Sequence, residues 1–124
     1  MKFLWMLNCA LGDDITPITH PVRLAIGTTG DAANAFDRIC YNKGASWIKT
    51  MDNFVGRPVL QKGLQSYIKK FAYKNTTLED FLACLDEEAK SPGLDALKKS
   101  GSNLQKWAES WLLKAGVNSL QVDC

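Results

Sequence analysis

Leu104, Trp107, Ala108, Trp111 and Leu112 fall at i, i+3, i+4, i+7 and i+8, a spacing that gathers them on one face of an α-helix and scatters them over both faces of a strand. The same period returns along most of the chain. Between Gly44 and Val55 it is carried by Trp47, Ile48, Met51, Phe54 and Val55, and after Gly56 by Leu60, Leu64, Tyr67, Ile68 and Phe71. A third stripe, Leu78, Phe81, Leu82 and Leu85, runs to about Ala89, with Asp86, Glu87 and Glu88 on the wet side. These stripes predict an all-α fold of about four main amphipathic helices, packed as an irregular helical subdomain.

Local signals set the expected boundaries. Gly56 is read as a helix stop and Pro58 as a first-turn residue, since proline tolerates only that end of a helix. Thr76 and Glu79 stand at capping-box spacing, and Ser102 with Gln105 offers a second entrance cap. Lys114 suits the exit end of the last helix dipole, and Gly116 its left-handed stop. Ser91-Pro92-Gly93 breaks the pattern, and a polar loop at Lys98 to Ser102 follows a short turn expected at Leu94 to Leu97. Val117 to Cys124 carries no helical stripe and reads as the start of an extended segment.

Composition excludes more than it proposes. A chain of 124 residues, 46% of them hydrophobic, supports one domain with a modest core. Its net charge of +2 gives no clustered basic surface for nucleic acid. Lys69, Lys70 and Lys74 beside Tyr67, Phe71 and Tyr73 imitate a basic and aromatic strip, but helical spacing sends the aromatics inward and the lysines outward. Cys9, Cys40, Cys84 and Cys124 form no Cys-x-x-Cys pair and are read as buried or incidental thiols. His20 is the single histidine, too few for a histidine-based metal site, and with Pro21 it is expected to position a loop.

Other matches have plain explanations. The apolar run over residues 1–12 is broken by Asn8, followed by Asp13 and Asp14, and lacks an Ala-x-Ala step, so a helix is preferred to a secretory leader and a cytoplasmic location is favoured. That run is far short of the roughly 20 apolar residues a membrane span needs, and no other segment comes closer. Asn75-Thr76-Thr77 fits an N-glycosylation pattern but also a helix entrance, and Gly27-Thr28-Thr29-Gly30 is a turn-rich connection with no Gly-Lys-Ser/Thr after it.

One segment has a more specific meaning. Phe36-Asp37-Arg38-Ile39-Cys40-Tyr41-Asn42-Lys43-Gly44-Ala45-Ser46 resembles the Phe-Asp-x-Ile-x-Tyr-x-Lys-Gly-Ala-Ser segment of the M1 family of zinc metallo-aminopeptidases. Thr19-His20-Pro21-Val22 resembles that family's Ser/Thr-His-Pro-Ile step. Val55-Gly56, Lys62 to Tyr67, and Ala72 to Phe81 follow in the expected order. Trp107, Trp111-Leu112 and Ala115 to Leu120 resemble the end of the catalytic domain. By resemblance the chain is the C-terminal half of a thermolysin-like catalytic domain. Residues 1–43 would supply a leading helix and the tyrosine segment, 44–116 the helices, and 117–124 a link to a following domain.

The resemblance implies a role for Tyr41, whose counterpart helps to stabilise the tetrahedral intermediate of peptide-bond hydrolysis. On periodicity alone it is an aromatic at a loop end, expected to be held by the packing of Trp47, Ile48 and Met51. The family's His-Glu-x-x-His helix, further glutamate ligand and Gly-x-Met-Glu-Asn loop are absent. The implied cofactor is therefore zinc in a complete parent enzyme, with none bound by this chain, which alone is expected to be inactive. The implied partners are a peptide substrate, the metal-binding half of the domain, and further copies of the chain through exposed apolar surface. Cys124 is expected to be an interruption rather than a natural end. The alternative is a stand-alone, non-catalytic interaction module derived from such an enzyme.

Overall fold

The computed structural model describes residues 2–88, 95, 98–117, 121 and 122. Among them every regular element is helical: α1 (Lys2–Asp14), α2 (Thr29–Asn34), a π-helical turn (Ile39–Lys43), α3 (Gly44–Val55), α4 (Arg57–Lys70), α5 (Leu78–Glu88) and α6 (Leu104–Leu112). The all-α reading stands, and each periodic stripe lies on a helix. The short turn at Leu94 to Leu97 and most of the segment after Val117 lie outside the described residues.

The chain divides into two compact units, with boundaries inside α3 and α6. The first comprises Met1–Trp47 and Ser110–Cys124. Its buried apolar residues include Ala10 of α1, Ile39 of the π-turn, Trp47 and Leu112, and α1 lies against the π-turn. Thr28 caps α2 by accepting the Asp31 N–H while the Asp31 carboxylate accepts the Thr28 N–H, so Gly27 to Gly30 is a helix entrance and not merely a connection.

The second unit, Ile48–Glu109, is built on Met51, Val55, Leu60, Leu82, Leu85, Leu104 and Ala108, all buried. Gly56 ends α3 with φ +88°, a conformation that suits glycine, and Pro58 sits in the first turn of α4 as expected. Phe54 and Trp107 stack with ring centroids 5.4 Å apart.

Several expectations need correction here. The inner face of α4 is Leu60, Gly63 and Tyr67, because Gly63 lets α5 approach so closely that a Cβ there would overlap the Leu85 side chain. Ile68 is consequently turned outward, and Leu64 is partly so. Tyr73 is fully exposed at φ +60°, past the end of α4, rather than inward. The cap of α5 is Thr77 with Asp80, one residue later than predicted: the Thr77 N–H donates to Asp80 at 2.9 Å, and the Asp80 N–H donates to the Thr77 hydroxyl at 3.4 Å. Thr76 instead bonds the Tyr67 hydroxyl. Asn103, not Ser102, caps α6, accepting the Lys106 N–H at 2.8 Å. That helix ends at Leu112, four residues before Gly116. Asp86 is partly buried, with one carboxylate oxygen buried and without a hydrogen-bond partner among the described residues, so the acidic run is not uniformly solvated.

Candidate functional site

Tyr41 sits in the middle of the π-turn, which runs directly into α3, and not on a loop. A π-turn inserts one residue into a helical path and is kept only where surrounding bonds offset its poorer geometry. Here both ends are tied. At the leading end the Asp37 carboxylate accepts the Cys40 N–H at 2.8 Å, and the Asp37 carbonyl accepts the Tyr41 N–H at 3.1 Å. At the trailing end Lys43 donates to the Gly116 carbonyl at 2.9 Å and lies 2.7 Å from the Asp14 carboxylate. Inside the next turn the Ser46 hydroxyl donates to the Asn42 carbonyl at 2.7 Å.

Asp14 is the hub of this unit, and sequence reasoning missed it. It is 1% exposed at the end of α1 and accepts the Thr19 hydroxyl at 2.6 Å and the Gly116 N–H at 3.1 Å as well as pairing with Lys43. Burial pushes its carboxyl up, but the bonds from Lys43 and Thr19 outweigh this and hold it below the ordinary aspartate value. A signal was present in the sequence, because an acid at a helix C-terminus opposes the helix dipole and so calls for a cation nearby.

The two resembling segments meet in space. His20 Nε2 pairs with the Asp37 carboxylate, Nδ1 lies 2.8 Å from the Pro21 carbonyl, and the Cys40 thiol donates to the Val22 carbonyl at 3.3 Å. His20 therefore holds a loop, as predicted. The Pro21 carbonyl first, and then Asp37, raise its pKa against the opposing effect of burial. Burial first, and then Asp37, push the Cys40 thiol up, which keeps it protonated.

Tyr41 itself is 58% exposed, and among the described residues its hydroxyl has no hydrogen-bond partner. The bonds of Asp37 and Lys43 restrain the backbone of the turn at both of its ends. The tyrosine ring is tilted against Phe36 at 6.1 Å and borders a shallow apolar groove of about 260 Å³ formed with Ala32, Ala35 and Cys40. Among the described residues no three His, Cys, Asp or Glu side chains converge as a metal site would require, and no helix is long and apolar enough to cross a membrane.

Residues 1–111 match the Peptidase family M1 domain. The chain is 37% identical over 116 residues to aminopeptidase N of Streptomyces lividans, a match covering 94% of this chain and 12% of that protein. It is 38% identical over 96 residues to aminopeptidase M1-B of Oryza sativa subsp. japonica, covering 77% and 11%. With glutamyl aminopeptidase of Bos taurus it shares 29% over 119 residues, covering 90% and 11%. The chain thus spans about one eighth or less of the length of these relatives.

Proposed function

We propose, from the premise that this chain belongs to peptidase family M1, that it is the tyrosine-bearing helical part of an aminopeptidase that removes N-terminal residues from peptides. Tyr41 would donate its hydroxyl to the oxygen of the scissile carbonyl. The observation that carries this reading is a phenol with no partner among the described residues, on a π-turn tied at both ends. Relatives with aminopeptidase names cover most of the chain and support the same substrate class.

As water adds to a peptide carbonyl, the oxygen gains negative charge. A donor already aimed there stabilises the transition state more than the substrate, so it raises kcat rather than tightening binding. A phenol carried on a turn whose backbone is tied at both ends needs less reorganisation at that moment than one on a free loop. M1 aminopeptidases are zinc enzymes, but the described residues do not fit a zinc site. The metal and its ligands are proposed to come from the remainder of a longer protein. The 124-residue chain by itself is proposed to be inactive, and turnover of aminoacyl substrates by the isolated chain with added zinc would contradict this.

The test of the tyrosine is Tyr41→Phe in the complete enzyme, which removes one hydroxyl and keeps the ring. Loss of a donor of this kind is expected to lower kcat by roughly a hundredfold or more, with KM little altered. Unchanged kcat with raised KM would make Tyr41 a substrate-binding group, and wild-type kinetics would make it structural.

A further inference from the structure

Asp37 divides its carboxylate between two partners. Oδ1 accepts the Cys40 N–H at 2.8 Å, and Oδ2 pairs with His20 Nε2. On the other side of the ring, Nδ1 faces the Pro21 carbonyl at 2.8 Å. A carbonyl and a carboxylate are both acceptors, so a histidine with each nitrogen against one of them carries both protons. The imidazolium thereby fixes the carboxylate whose other oxygen holds the first turn of the π-segment. The Asp37 carbonyl also accepts the N–H of Tyr41 itself.

We propose that His20 and Asp37 are a positioning pair for Tyr41: the ion pair sets the π-turn, and the π-turn sets where the phenol points. This rests on the reading of Tyr41 as the donor to the carbonyl oxygen. His20 and Asp37 side chains are 24% and 35% exposed, and pairs this wet add little to folding. Their effect is therefore local. It matters at Tyr41 because a misplacement of about 1 Å at a reacting group can cost about a hundredfold in rate. The charged groups acting on the ring are Asp37 and, at longer range, Asp14, which is itself paired with Lys43. The neighbouring Cys40 thiol stays neutral, so the state of the pair follows the proton on His20.

The experiment is a kinetic cycle in the complete enzyme with His20→Ala, Tyr41→Phe and both together. His20→Ala is expected to lower kcat by about tenfold with KM within about twofold of wild type. In the Tyr41→Phe background the same change should cost less than about twofold, because the hydroxyl to be aimed is gone. If the pair acts through the proton on His20, wild-type kcat is expected to fall as pH rises through the His20 value; His20→Gln keeps an N–H toward Asp37 and should recover most of kcat while abolishing that fall. This variant also carries the test if His20→Ala does not fold. Equal losses from His20→Ala in both backgrounds, or an alkaline fall retained by His20→Gln, would overturn the pair and leave the tyrosine reading intact. Wild-type kinetics for Tyr41→Phe would overturn the tyrosine reading, and the pair's kinetic role with it.

Discussion

Tyr41 and Lys43 stand two residues apart on one π-turn and have opposite surroundings, the phenol 58% exposed and the lysine side chain 12%. Tyr41 was visible in the sequence because a motif singles it out. Lys43 belongs to the same motif, but its partners Asp14 and Gly116 are distant in sequence, so its role became legible only in three dimensions. Lys43→Met would leave a buried carboxylate uncompensated, and we expect it to cost about 3 kcal/mol at pH 7 by urea unfolding. The sign with pH is defined. Asp14 has a folded value below its unfolded one, so its contribution is present above the unfolded value of 3.8 and lost as pH falls through the lowered folded value. The penalty of Lys43→Met should accordingly shrink in acid, where Asp14 is neutral; an equal penalty at both pH values would mean lost packing instead. Asp86 is the opposite case. Burial raises its carboxyl against a smaller lowering effect of Lys98, so ionisation at pH 7 weakens the fold, and Asp86→Asn should stabilise the chain by about 1 kcal/mol at pH 7. That gain should vanish below pH 3.8, where the aspartate is protonated whether folded or unfolded; a gain persisting there would rule out the charge as its cause.

Among the helices, periodicity located α3, α4, α5 and α6 but not always their inward faces, whereas α1 was read from an apolar run. The α4 stripe suggested Leu60, Leu64, Tyr67, Ile68 and Phe71, yet a residue that hydrophobic patterning passes over, Gly63, is buried against Leu85 of α5 with no room for a Cβ. A Cβ on Gly63 would lie 3.2 Å from the Leu85 backbone and would overlap its side chain. Gly63→Ala should therefore destabilise the chain by about 1–2 kcal/mol despite the better helix propensity of alanine, because overpacking at a backbone contact exceeds the roughly 1 kcal/mol that propensity returns. A variant as stable as wild type in urea would show that α4 and α5 can part without cost. The α5 cap slipped by one residue for a related reason: Thr76 and Thr77 are alike in sequence, and in the structure Thr76 bonds the Tyr67 hydroxyl while Thr77 caps the helix.

At the scale of the whole molecule, large apolar side chains remain exposed, including Leu4, Trp5, Ile15, Ile18 and Phe36 in one unit and Ile68 and Tyr73 in the other. Exposed apolar surface of this kind favours association, so the isolated chain is expected to self-associate at high concentration and to bind a hydrophobic dye. A monodisperse monomer without dye binding, seen by sedimentation, would overturn that expectation. The amino-acid sequence by itself determined the helical class, the places of the long helices, the family and the candidate tyrosine, because helical period and short motifs are carried by neighbouring residues. Tertiary structure decided that Tyr41 rides on a π-turn, that His20 meets Asp37 and that Lys43 meets a buried Asp14. It also decided that Gly63, rather than Leu64 or Ile68, faces α5. Each of these depends on groups far apart in the chain coming within a few ångströms, and burial and charge pairing at that range leave no fixed spacing in a sequence.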